Sequence, residues 1–130
     1  MKQLLFVLLM MTCSVSWAEW ELTQLNDTEV MYHDKSTIRR NSAIARMWTM
    51  TDFLEKQLES GKPYKSQITQ FSYDCKSETA KLITTTIYSG SKGQGVVVSS
   101  YFDKDNLQSW NPVVPGSLGE HEWKIACGKK

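Results

Sequence analysis

Residues 67–89 read QITQFSYDC-KSET-AKLITTTIYS, and this stretch decides the fold. Gln67 to Cys75 alternates, with Phe71, Tyr73 and Cys75 on one side, the period of a half-buried strand. Ala80 to Ser89 is rich in Thr and Ile, which suit a second strand. Only the polar Lys76–Thr79 separates them, so the two pair as an antiparallel hairpin.

The pattern continues in both directions. Upstream, Trp20–Gln24, Glu29–Asp34 and Ala43–Met50 read as three strands, the last with Ile44, Trp48 and Met50 on one face and Arg46 interrupting it. Asp34 to Ser42 is polar and basic and reads as a connection with one helical turn. Residues 52–60 read two ways. Asp52 with Glu55 fits a capping box and Leu54 and Leu58 lie four apart, which favours a helical turn ended by Gly61 and Pro63; the alternative is a strand end at Phe53 and a polar loop. Downstream, Ser89–Gly95 is a glycine-rich turn and Val96–Phe102 a sixth strand. Residues 103–111 form a loop.

Ser117 and Glu120 then open a helix, with acidic residues where the helix dipole favours them. Trp123, Ala126 and Cys127 make one apolar stripe, and Gly128 ends it. Six strands and one helix give an α+β domain: a six-stranded antiparallel β-sheet with a C-terminal α-helix packed on it.

The N-terminus sets the compartment. Lys2 precedes an apolar run from Leu4 to Met11, and Ser16-Trp17-Ala18 places small residues three and one before Glu19. This is a secretory signal, residues 1–18, cleaved between Ala18 and Glu19, leaving a single domain over residues 19–130. The run is too short to span a bilayer, which takes roughly 20 apolar residues. Met11-Thr12 are poor residues ahead of a lipidated Cys13, so no lipid anchor is expected. The chain has 15 Lys+Arg and 14 Asp+Glu. Loss of Lys2 with the signal balances the charges, which argues against a nucleic-acid partner.

Cys13 leaves with the signal, and Cys75 and Cys127 remain. An exported chain with two cysteines most simply pairs them as a disulfide. Free structural thiols, a nucleophile or a metal ligand are the other readings. The nucleophile reading would need a free thiolate beside a base, and only His121 is near in sequence. A closed loop between the two cysteines would contribute about 4 kcal/mol in the chain-entropy treatment.

No other motif carries chemistry. His33-Asp34 and His121-Glu122 lack the spacing to hold one ion. Asp103-Lys-Asp105-Asn106 starts like a calcium loop, but Leu107 stands where an oxygen ligand belongs and no closing glutamate follows. Gly93-Gln-Gly95 lies between strands and is a turn, not a phosphate cradle. No G-x-S-x-G occurs. No catalytic residue, cofactor or metal is expected. Trp20, Trp48 and Trp123 fit core positions, while Trp110 sits in a loop. Trp110, with Lys62, Tyr64 and Lys65 before the fourth strand, supplies the candidate protein-contact residues.

Trp20, Tyr32-x-Asp34 with Ser36 and Ile38, Trp48, Tyr73-x-Cys75, Tyr88, Gly93-Gln94-Gly95 and Pro115-x-Ser117 leading to Cys127 together resemble the surface-adhesin E family, small exported proteins of Gram-negative bacteria. The resemblance covers nearly all of the chain after the signal. It implies the same six-stranded sheet with its helix tied by Cys75–Cys127, and a non-enzymatic domain that binds host matrix or serum proteins at the cell surface. The other reading is a periplasmic accessory module that binds another envelope protein or a small apolar ligand. Open sheet edges also allow pairing into a homodimer.

Overall fold

The computed structural model describes residues 18–130, so the expected signal, apart from Ala18, lies outside the described residues. Six strands run in sequence order across one antiparallel sheet: β1 (Glu21–Leu25), β2 (Glu29–Asn41), β3 (Ile44–Glu59), β4 (Lys62–Asp74), β5 (Thr79–Tyr88) and β6 (Val97–Phe102). A two-residue strand, β7 (Asn111–Pro112), pairs with the start of β5. The helix α1 (Leu118–Cys127) follows.

Its ends form as the residues dictate. Ser117 Oγ accepts the Glu120 N–H at 3.2 Å, and Gly128 closes the helix in the left-handed region at φ 66°. Glu120 does not reach back to complete the box; its carboxylate pairs with Lys124 at 3.2 Å, one turn on.

The helix lies on one end of one sheet face. Ala45 and Met47 of β3 stand opposite Tyr73 and Phe71 of β4, and Trp123 and Ala126 of α1 pack onto them. Ala45, Met47 and Ala126 are wholly buried. The stripe of Ile44, Trp48 and Met50 belongs to the other face, because strand neighbours alternate. Met50 is nonetheless buried there. The turn after β5, a 3-10 turn over Ser91–Gly93, folds back onto that face. Ser66 Oγ donates to the Gly90 carbonyl at 2.6 Å and accepts the Gly93 N–H at 2.8 Å. Of the tryptophans expected in the core, Trp123 is buried, while Trp20 and Trp48 are half-buried.

Two expectations are corrected. Residues 34–41 are not a connection with a helical turn; β2 runs through them to Asn41. Between Asp34↔Trp48 and Arg39↔Arg46, β2 spends four residues against one of β3, an enlarged bulge. Thr37 fills it, its hydroxyl donating to the Asp34 carbonyl at 2.6 Å and accepting the Trp48 N–H at 3.1 Å. Nor do residues 52–60 form a helical turn. They continue β3 to Glu59, with a second bulge between Asp52↔Ser66 and Gln57↔Tyr64. Ser60 and Gly61, both at positive φ (48° and 78°), make the two-residue hairpin turn into β4.

Candidate protein-contact surface

The long β3 and β4 outrun their neighbours. Pairing with β2 ends at Glu29↔Phe53, and pairing with β5 ends at Ser66↔Tyr88. Beyond those points residues 54–65 form a two-stranded arm that, among the described residues, no third strand flanks. Lys62 begins β4 on this arm, so the triad Lys62, Tyr64 and Lys65 lies within a strand and not in the loop expected before it. Tyr64 packs edge-on against Phe53 at the base of the arm, with ring centroids 5.6 Å apart. The Leu54 N–H, at 2.9 Å from the Thr28 carbonyl, ties the base to the β1–β2 turn. Leu58 stands 70 % exposed near the tip.

Trp110 belongs to a different surface. Lys81 Nζ lies 5.0 Å from its ring centroid, a cation–π contact. Lys81 is paired with Ser72, eight positions along β4 from Tyr64. At about 3.3 Å per residue that is roughly 26 Å. The four residues named from sequence are therefore two surfaces at opposite ends of the sheet.

The sulfurs of Cys75 and Cys127 are joined, with Cα atoms 5.5 Å apart. No thiol remains at either position for nucleophilic or metal chemistry. Two non-covalent contacts reinforce the tie. Trp123 Nε1 donates to the Asp74 carbonyl at 2.9 Å, and Arg40 donates through Nε (3.0 Å) and Nη2 (2.9 Å) to the Ala126 carbonyl.

Because α1 covers only one end of its face, a cleft of about 380 Å³ opens beside it. Thr49, Thr69, Thr85, Phe71, Leu118 and Glu122 line it. Glu122 is 7 % exposed. Burial pushes its carboxyl up to about 7, against a smaller opposing effect of the Tyr73 hydroxyl, which donates to it at 3.4 Å. Burial and the neighbouring carboxylate push the Tyr73 phenol well above its usual range. From sequence, Glu122 reads as an acidic residue of the first helical turns, where the helix dipole favours negative charge, and the threonines carry no assignment. The readable signal was Thr49-x-Thr51 beside Gln67-x-Thr69, hydroxyl and amide side chains alternating onto one face.

His33 is also buried. Its Nδ1 meets Thr23 Oγ1 at 2.6 Å and its Nε2 lies 3.4 Å from Glu21 Oε2. Desolvation lowers its pKa, outweighing the carboxylate. Among the described residues no three metal-type side chains cluster.

A family model described as surface-adhesin protein E matches residues 20–128. No curated protein matches the chain in sequence. Among solved structures, crystal form II of Haemophilus influenzae protein E superposes with a TM-score of 0.59 at 14 % identity, covering 82 % of this chain and 91 % of that one. A second structure of Haemophilus influenzae protein E gives 0.58 at 14 %, covering 82 % and 88 %. Protein E from the non-typeable organism gives 0.51 at 15 %, covering 82 % and 79 %. At such identities the superpositions speak to fold alone.

Proposed function

Because the chain belongs to the surface-adhesin protein E family, we propose that it is an exported, non-enzymatic binding domain that attaches to host matrix or serum proteins. The family supports an adhesin-like protein at the cell surface. The observation that carries the contact site is the β3–β4 arm. It projects beyond its flanking strands, with Lys62 and Tyr64 on one face, the Tyr64 ring packed against Phe53, and Lys65 and exposed Leu58 on the other. A tyrosine held by a neighbouring ring on an arm that no third strand flanks is the kind of aromatic anchor that carries protein contacts. Trp110 with Lys81 is a second, smaller aromatic–cation patch at the far end.

The test is binding of the purified residues 19–130 to a panel of immobilised extracellular-matrix and serum proteins. It is repeated with a Lys62→Ala, Tyr64→Ala, Lys65→Ala variant shown by circular dichroism to be folded. Binding that drops at least tenfold supports the arm. Equal binding by the variant moves the contact elsewhere, and no binding by either protein overturns adhesion. In that case osmotic-shock release of the native protein, with protection from added protease on whole cells, supports the periplasmic accessory reading.

A further inference from the structure

Asp34 is 1 % exposed, one of the most deeply buried carboxylates of the domain. Its Oδ1 accepts from the Ser36 N–H at 2.9 Å and the Ser36 hydroxyl at 2.5 Å. Its Oδ2 accepts from the backbone N–H of Glu19 at 3.0 Å. Among the described residues no side-chain cation pairs with it. Arg39 lines the same recess of about 410 Å³, yet its Nη1 is bonded to the Ser36 and Ile38 carbonyls at 3.0 and 2.9 Å. A carboxylate taken out of water without a cation is costly. The sheet brings it only one further donor, and that donor belongs to Glu19.

We propose that Glu19 is the first residue of the mature protein and that its α-ammonium group, created by processing, is the cation built to pair with buried Asp34. This rests on reading Ala18–Glu19 as the processing bond, and the small residues at positions 16 and 18 are not its only support. In the hydrolysis, water adds across the Ala18–Glu19 amide under an endopeptidase. Ala18 leaves as a carboxylate and Glu19 keeps the nitrogen, now protonated. The nitrogen already lies within hydrogen-bond distance of Oδ2, so the charge arises where the carboxylate needs it. Register fixes that position. Glu21 pairs with His33, so one step further places Trp20 opposite Asp34 and Glu19 just beyond. A cut one or two residues to either side would leave an amide, or nothing, at this spot. Ala18 lines the same recess and is exposed, as the end of the departing segment must be. The precursor thus holds Asp34 by a neutral amide and the mature chain by an ion pair, so removal of the signal would itself tighten the β1–β2 edge.

The experiment compares two otherwise identical proteins, one beginning at Glu19 and one beginning with an added methionine before Glu19, which turns the ammonium into an amide. The chain beginning at Glu19 is expected to melt about 5 °C or more higher, and its α-amino group to titrate above the ordinary range of about 7.7–8.0. In Asp34→Asn the added methionine should no longer matter. If that variant does not fold, the first pair and the α-amino titration still decide. Equal melting temperatures with an ordinary α-amino titration overturn the ion pair. Intact mass of the protein recovered from the native envelope tests the processing bond separately: a mature chain that begins elsewhere, for example at a lipidated Cys13, overturns the assignment of Glu19 whatever the melting data show.

Discussion

Trp123 donates its indole N–H to the carbonyl of Asp74 at 2.9 Å, beside the residue whose sulfur is bonded to Cys127. The helix is therefore held at one place both covalently and by a part-buried hydrogen bond. Reduction removes only the first. The disulfide spans a separation of 52 residues. Replacing both cysteines with alanine is expected to cost about 2–4 kcal/mol in urea unfolding, most of it through the freed unfolded chain. Trp123 should remain buried in the folded variant, read as an unchanged fluorescence maximum. A red-shifted maximum before unfolding begins would show that the bridge alone keeps the helix on the sheet.

How much of this was legible follows from which signals are local. The β4–β5 hairpin announces itself through alternation on both sides of a short polar turn. The helix is fixed by Ser117, Glu120 and Gly128, all within one segment. Residues 52–60 misled because their local cues are helical: a carboxylate three before a glutamate, and leucines four apart. What decides them is non-local. Lys62–Tyr64 stands ready to pair, and Ser60-Gly61 adopts the positive φ values of a hairpin turn. Residues 34–41 misled for the same reason, since a bulge resets alternation and the strand resumes out of phase. Burial of Glu122 follows from where α1 lands on Tyr73, which no local pattern encodes. Only the register shows that Trp110 lies at the other end of the sheet from Tyr64.

Arg40 closes the C-terminal end of the helix from outside. Its Nε and Nη2 both donate to Ala126 O, a carbonyl of the last turn, where a cation also faces the negative end of the helix dipole. Arg40→Ala should cost about 1–2 kcal/mol, and Arg40→Lys should recover less than half, because a lysine cannot offer the planar pair of donors. Urea midpoints for the two variants measure this. A lysine variant as stable as the parent would mean that charge alone matters there.

Glu122 makes stability depend on pH in a stated direction. Unfolded, the carboxyl loses its proton near the ordinary 4.5; folded, it holds it to about 7. Across that window the native state binds more protons, so stability falls as pH rises, by about 3 kcal/mol at most. His33 acts the other way. Its pKa is lowered from 6.5 by burial, so the unfolded chain takes up a proton first and stability falls as pH drops below that value. Glu122→Gln removes the first effect and keeps the second. The parent is thus expected to lose stability relative to the variant as pH goes from 4.5 to 8. A parent-minus-variant difference that stays flat over that range would show Glu122 titrating as an ordinary surface acid.

Three glycines at positive φ should respond unequally to alanine, and the order tests how the turn after β5 is seated. At Gly61 (φ 78°) an added Cβ meets nothing within 4 Å, so Gly61→Ala carries only the left-handed backbone penalty of about 1–2 kcal/mol. At Gly93 (φ 74°) the same Cβ would come within 2.7 Å of Ile68 Cδ1. At Gly95 (φ 82°) it would collide with Ser89 Oγ and lie 3.1 Å from the Gly90 nitrogen. There the backbone penalty is joined by overpacking of about 1–3 kcal/mol. The turn cannot relax freely, because Ser66, fully buried, holds Gly90 and Gly93 from below through its one hydroxyl. Gly93→Ala and Gly95→Ala should therefore lower the urea midpoint clearly more than Gly61→Ala. They should also expose Met50 and Ile68, detectable as faster amide exchange in the middle of β3 and β4. Equal losses at the three positions would mean that the turn floats above the sheet and that the second face is sealed by something other than this contact.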